Sequence, residues 1–208
     1  MHPNPAFRKT PRERNIGFAQ ERGFGTLAVN ADDGPLLSHI PFALEEDGTT
    51  ADLHLVRSNP ILRLLDAKAV VAVQGPDGYV SPDWYGVEDQ VPTWNYISVH
   101  LRGRLERLPQ DHMHDMLDRQ SAHFEAMLTP KVPWTTDKMT PDVLERMMRQ
   151  IVPCRLHIDD IQGTWKLNQN KPDAARLAAA DHMEAFAVGQ EARLLSGLMR
   201  GPFTKTGD

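Results

Sequence analysis

Thiol chemistry is nearly absent from this chain: Cys154 is the single cysteine in 208 residues. No intrachain disulfide can form, which excludes the small disulfide-stapled domains and favours a reducing, cytoplasmic setting. Long apolar runs are also missing. The longest aliphatic stretch, Ala69-Val70-Val71-Ala72-Val73, is far too short to cross a bilayer, so no membrane association is expected. Arg8, Lys9, Arg12 and Arg14 have no apolar segment behind them and do not read as a signal peptide. Positive charge is scarce, with 23 Lys and Arg against 28 Asp and Glu and a formal net charge of −5. That argues against nucleic-acid binding through a broad basic surface. Nucleotide-loop glycines are lacking, since Gly75-Pro76-Asp77-Gly78 matches neither a dinucleotide fingerprint nor a P-loop and reads as a turn. Ser81 and Ser98 have no nucleophile-elbow context. His112 and His114 stand two apart and do not share a helix face, so no metal site is expected. No catalytic residue is assigned.

What is present is a well-marked strand. From Asn95, the residues Ile97, Val99, Leu101 and Leu105 fall on one parity, and Tyr96, Ser98, His100, Arg102 and Arg104 on the other. A period of two over this length predicts a strand with one buried face. It begins at Pro92-Thr93-Trp94-Asn95, where an indole, a hydroxyl and an amide stand together. Such a mixture suits a flat, partly polar ring, although a core-closing Trp94 and a turn-capping Asn95 are the plainer reading.

Other elements follow in order. Thr10-Pro11-Arg12-Glu13 fits a capping box, predicting a short basic helix that stops near Gly23. Strands are predicted at 24–30, 35–44, with Pro41 demanding an edge or bulge, and 51–57. Asn59 and Pro60 have the positions of an N-cap and first residue of a helix carrying Ile61, Leu62, Leu64 and Leu65. A buried strand covers 69–73, another segment 79–85, and a last strand 154–158. Helices are expected after Pro109 and after Thr140-Pro141, with Met113, Met116, Met127, Met147 and Met148 as core or subunit contact, and again at the end of the chain. The sum is six or seven antiparallel strands at meander spacing with helices appended: a mainly β, α+β chain folded as a barrel. One domain over residues 1–208 is expected, with an N-terminal basic helix, a helical insertion at about 109–151 and a C-terminal helical segment.

Polar residues suited to anions recur at strand ends: Ser38-His39, Arg57-Ser58-Asn59, Thr93, and Lys166 with Asn168 and Gln169. An arginine before a helix N-terminus is a phosphate site or an ordinary cap beside a surface arginine; the residues alone leave both open.

Four pieces then carry a resemblance: His54-Leu55-Val56-Arg57-Ser58-Asn59-Pro60; Gly75 to Tyr85; Val91-Pro92-Thr93-Trp94-Asn95-Tyr96; and Gly163-Thr164-Trp165-Lys166-Leu167-Asn168-Gln169-Asn170-Lys171. Together, in this order, they resemble the PaiB-type FMN-binding regulators, a branch of the pyridoxamine-phosphate-oxidase-like split barrels. Val56, Asn168 and Asp77 depart from the usual residues of that family. The resemblance implies a split-barrel homodimer with FMN in a groove between subunits, and a negative transcriptional regulator of sporulation and degradative-enzyme genes. On it, the cofactor site is expected at His39, Ile40, Pro41, Arg57, Ser58, Asn59, Pro92, Thr93, Trp94, Asn95, Lys166, Gln169 and Asn170. Arg57, Ser58, Asn59 and Lys166 would hold the phosphate. The ring would lie along His39-Ile40-Pro41 and Thr93-Trp94-Asn95, with Gln169 and Asn170 completing the site. No helix-turn-helix pattern is visible, so DNA contact, if made, is assigned to the N-terminal basic helix. An FMN-dependent oxidoreductase acting on a small substrate is the alternative; a structural or haem-handling member of the fold ranks third.

Overall fold

The computed structural model describes residues 1–201. These form two compact units. The first comprises Glu13–Val73 and His100–Ile161; the second comprises Met1–Arg12, Gln74–Val99 and the chain from Gln162 onward.

The described residues form six strands: β1 (Phe24–Ala31), β2 (Gly34–Leu44), β3 (Thr50–Val56), β4 (Ala67–Val80), β5 (Thr93–Arg107) and β6 (Ile151–Lys166). They close into a barrel in the order β1-β2-β3-β6-β5-β4. Pairing is antiparallel between β1 and β2, β1 and β4, β2 and β3, and β3 and β6. The expected antiparallel barrel is therefore realised with six strands. All six contribute to the first unit, and β4, β5 and β6 run on into the second.

The strand read first from the sequence is β5. Its inward parity, Asn95, Ile97, Val99, Leu101 and Leu105, is wholly buried. Gly103 sits on the same parity for a steric reason: a Cβ there would lie 1.8 Å from the His157 carbonyl oxygen of β6. The first hairpin turns at Asp32-Asp33, with Gly34 at φ +113°, a conformation that favours glycine. Pro41 stands where its missing N–H costs no ladder bond: residues 34–41 of β2 pair with β1, and pairing with β3 begins only at Phe42.

In the first unit, α1 (Arg12–Arg22) ends at Gly23, whose N–H bonds the Ala19 carbonyl at 2.9 Å with φ +53°, a left-handed helix end. α2 (His112–Ala126) is pinned to the barrel by Asp52, 2% exposed, which accepts from Arg155 at 2.6 and 2.9 Å and from Arg119 at 2.7 Å. Burial by itself would raise the Asp52 carboxyl, but hydrogen bonds from both arginines outweigh it and hold the group below the ordinary carboxylate value. α3 (Pro141–Met148) follows Thr140 as expected. Of the methionine stripe, Met113 and Met116 are core, whereas Met127 and Met147 are exposed.

Two expectations fail. Gly75-Pro76-Asp77-Gly78 is not a turn; it lies inside the continuous 14-residue β4. Its backbone is satisfied by a segment far along the chain: Asp77 N–H donates to the Gln190 carbonyl at 3.0 Å and Tyr79 N–H to the Val188 carbonyl at 2.9 Å. Gly78 gives room to Met183 and Leu195, so the glycine serves close approach. The helix after Asn59 is a single 3₁₀ turn, Pro60–Arg63. In the second unit, α4 (Asp173–Phe186) and α5 (Ala192–Arg200) supply the expected C-terminal helices. Among the described residues no helix is long and apolar enough to cross a membrane.

Candidate functional site

The expected site residues fall into two groups, one in each unit. In the first unit, Arg57 and Ser58 follow the end of β3 and are exposed. Asn59 caps the 3₁₀ turn, its Oδ1 accepting from the Ile61 N–H at 3.0 Å while its Nδ2 donates to Ser38 Oγ at 3.1 Å. The phosphate cradle foreseen from a helix N-terminus is thus reduced: the turn is one revolution long and a capping oxygen already occupies it. Arg57 is partly engaged as well. Its Nε donates to the Arg149 carbonyl at 2.7 Å and its Nη2 to Gln110 Oε1 at 2.9 Å. Gln110 and Arg149 are neighbours that no spacing in the sequence announces. Among the described residues Nη1 makes no hydrogen bond and remains as a pair of donors of the planar fork. On β2, His39 is exposed and Pro41 half-buried, while Ile40 points into the core at 3% exposure.

In the second unit the geometry centres on Lys166, at the end of β6. Its ammonium group donates to Thr93 Oγ1 and lies 5.9 Å above the centre of the Phe7 ring. Lys166 is half-buried, and among the described residues no carboxylate pairs with it. Desolvation lowers its pKa below the ordinary lysine value. A cation that is shielded and uncompensated favours an anion brought from outside. Phe7 is the residue sequence reasoning missed: it is 4% exposed, and the His2 ring meets it edge-on at 4.8 Å.

Thr93-Trp94-Asn95 does not present one surface. Trp94 is 49% exposed on the outer parity of β5, whereas Asn95 is wholly buried on the other. The Asn95 amide donates to Met199 Sδ at 3.4 Å, and its Oδ1 has no partner among the described residues. The expectation that Trp94 and the Asn95 amide meet one ring is corrected by this alternation. Trp94 offers its face, with Tyr79 packed against its edge at 6.3 Å. Gln169 is spent locally: its Nε2 donates to the Ala6 and Trp165 carbonyls, and its Oε1 accepts from the Leu167 N–H. Pro92 and Asn170 are exposed. Cys154 is buried, and burial pushes its thiol up to about 12, which disfavours the reactive thiolate.

The described groups fit a flavin mononucleotide in kind: a half-buried unpaired cation beside a hydroxyl, a partly free guanidinium, and an exposed indole. Comparison with known proteins gives the same direction. A family model described as "Putative FMN-binding domain" matches residues 1–160. The "Protease synthase and sporulation protein PAI 2" of Bacillus subtilis is 31% identical over 182 residues, covering 86% of this chain and 86% of that protein. Among solved structures, the FAD and heme binding protein from Mycobacterium smegmatis superposes with a TM-score of 0.55 at 22% identity, over 77% of this chain and 73% of that one. A conserved hypothetical protein from Mycobacterium tuberculosis gives 0.56 at 18% identity, over 80% and 92%. At these identities the structural likenesses speak to the split-barrel fold alone.

Proposed function

The chain belongs to the FMN-binding domain family together with the Bacillus subtilis protein, and from that premise we propose that it is an FMN-binding regulator of the PaiB type, working as a cytoplasmic homodimer. The observation that carries the flavin assignment is Lys166: a shielded cation set on Thr93 with no carboxylate to neutralise it among the described residues. Lys166 supplies a point charge to a phosphate oxygen, and Thr93 a hydroxyl beside it. Arg57 supplies its Nη1 to anionic oxygen, with Ser58 adjacent. The exposed face of Trp94 is assigned to apolar and stacking contact with the ring. Bound FMN supplies one- or two-electron redox chemistry; the protein residues hold and orient it.

A regulatory role is favoured by the family resemblance, and DNA contact is assigned to the N-terminal basic segment. Arg12 and Arg14 already interact within the fold, so Arg8 and Lys9 are the main donors left for phosphates there. Two measurements on FMN-loaded protein separate regulator from oxidoreductase. Retention of genomic DNA fragments at low salt, weakened by neutralising Arg8, Lys9, Arg12 and Arg14 with a flatter salt dependence, is the expected result. Rapid anaerobic bleaching of the flavin band by a nicotinamide donor, with no DNA retained, would assign the protein to the oxidoreductases.

A further inference from the structure

Beside β3 and β6 in the first unit lies a cavity of about 320 Å³. Its wall includes Leu117 and Ser121 of α2, Trp134, and Leu144, Met147 and Met148 of α3. Among the described residues no ionisable side chain lines it. Its floor is firm, since Leu117, Met148 and Ile151 pack on the buried cluster of Leu108, Met113 and Met116. The hydroxyl of Thr136, also in the wall, is already spent on Asp118 at 2.7 Å. We propose that this cavity binds a neutral, largely apolar small molecule, and that its occupancy adjusts Arg57.

At about 320 Å³ the cavity has the size of a small-ligand site. Small-ligand pockets begin at about 300 Å³. The lack of charge in the wall selects a neutral ligand, because a buried ion would find no partner there. Methionines adapt to the shape of an apolar guest, and Trp134 offers it an aromatic surface.

The link to Arg57 is covalently short. Val56 lines the cavity and precedes Arg57. The Arg57 N–H donates to the Gln150 carbonyl at 2.8 Å, and its Nε to that of Arg149 at 2.7 Å. Gln110, which accepts from Arg57, donates to the Met148 carbonyl at 2.9 Å. Met148 and Gln150 are wall residues. A guest that immobilises this wall holds the guanidinium in place, and so tightens anion binding there by removing an ordering cost. This coupling rests on the assignment of Arg57 to the FMN phosphate; the cavity's own ligand does not.

The test uses 1-naphthol, neutral at pH 7, titrated by calorimetry into FMN-loaded protein. Saturable binding of one molecule per chain is expected. It should weaken at least about tenfold in Ser121→Phe, which fills the cavity, and in Met147→Glu, which places a charge at its rim. Met147 is 52% exposed, so the second variant keeps the fold if the first does not. No saturable binding, or binding that neither variant weakens, overturns the proposal. So does a 1-naphthol-insensitive protein whose dimer dissociates in Met147→Glu, since the occupant would then be a second copy. With 1-naphthol saturating, FMN should bind at least about threefold tighter, and FMN should tighten 1-naphthol by the same factor. Unchanged or weaker FMN binding overturns the coupling. If the protein binds no FMN at all, the flavin assignment fails while the 1-naphthol result still decides the cavity.

Discussion

Replacing Lys166 with methionine removes one charge and keeps the stem that packs near Phe7. In the parent protein that charge is half-buried, bonded to Thr93 and unpaired by any described carboxylate. A charge-assisted hydrogen bond to phosphate contributes about 1.5–3 kcal/mol, so FMN should bind roughly 10- to 150-fold more weakly in the variant. Stability should respond with a different sign. The variant loses one bond to Thr93, about 1 kcal/mol, and is relieved of a desolvated charge. Net stability should therefore stay within about 1 kcal/mol of the parent or rise. The affinity should also depend on pH in a defined direction. Desolvation lowers the Lys166 pKa from its ordinary 10.5, and a bound phosphate would raise it again. FMN affinity is then full below the free-protein pKa and falls as pH rises through it, and this step should be missing in Lys166→Met. Fluorescence titration of FMN across neutral and alkaline pH, with thermal melts of the ligand-free protein, reads all three. A variant that binds FMN like the parent but melts clearly lower would make Lys166 a structural residue and refute the reasoning.

Arg57→Ala should lose at least about 1.5 kcal/mol of FMN affinity. Arg57→Lys, which retains charge but not the fork to Arg149 and Gln110, should recover only part of it in the same titration; two parent-like affinities would place the phosphate elsewhere. Asp52→Asn leaves Arg155 and Arg119 facing a neutral group and should cost about 3 kcal/mol at pH 7, the low end for a broken buried pair because both arginines reach solvent. The folded-state pKa of Asp52 is depressed, so the contribution is present above the unfolded value of about 3.8 and is lost as pH falls through the lower folded value. Urea melts from pH 7 to pH 3 should show the two proteins converging in acid, and a constant gap would contradict this. Gly103→Ala forces a Cβ to 1.8 Å from the His157 carbonyl and should cost more than about 3 kcal/mol, beyond ordinary overpacking; a melting temperature like the parent's would contradict so close an approach of β5 to β6.

The strand β5 was legible because its inner face is buried along nearly its whole length, and a period of two survives wherever one face is buried. Gly75-Pro76-Asp77-Gly78 was not legible. Its residues have turn chemistry, but their backbone partners, Val188 and Gln190, lie over a hundred positions away. The last strand was read as ending at Ile158, yet β6 continues through exposed Asp159 and Asp160 to Lys166. The site shows the same division. Opposite facing of Trp94 and Asn95 follows from the very alternation that identified the strand. The meeting of Lys166 with Thr93, 73 residues apart, and of Arg57 with Arg149, 92 apart, is a matter of tertiary placement that no local pattern encodes. Motif resemblance pointed to both cations without showing their neighbours, which is why Phe7, Gln110 and Arg149 went unseen.

Whether this protein carries FMN is decided by purifying the chain without added cofactor, recording its visible spectrum, and identifying by mass the molecule released on denaturation. A flavin spectrum and release of FMN near one per chain are expected, because Lys166 offers a cation to a phosphate and the sequence has no Gly-rich loop for a pyrophosphate. Release of FAD, or a colourless protein that binds no FMN when it is supplied, would contradict the FMN assignment.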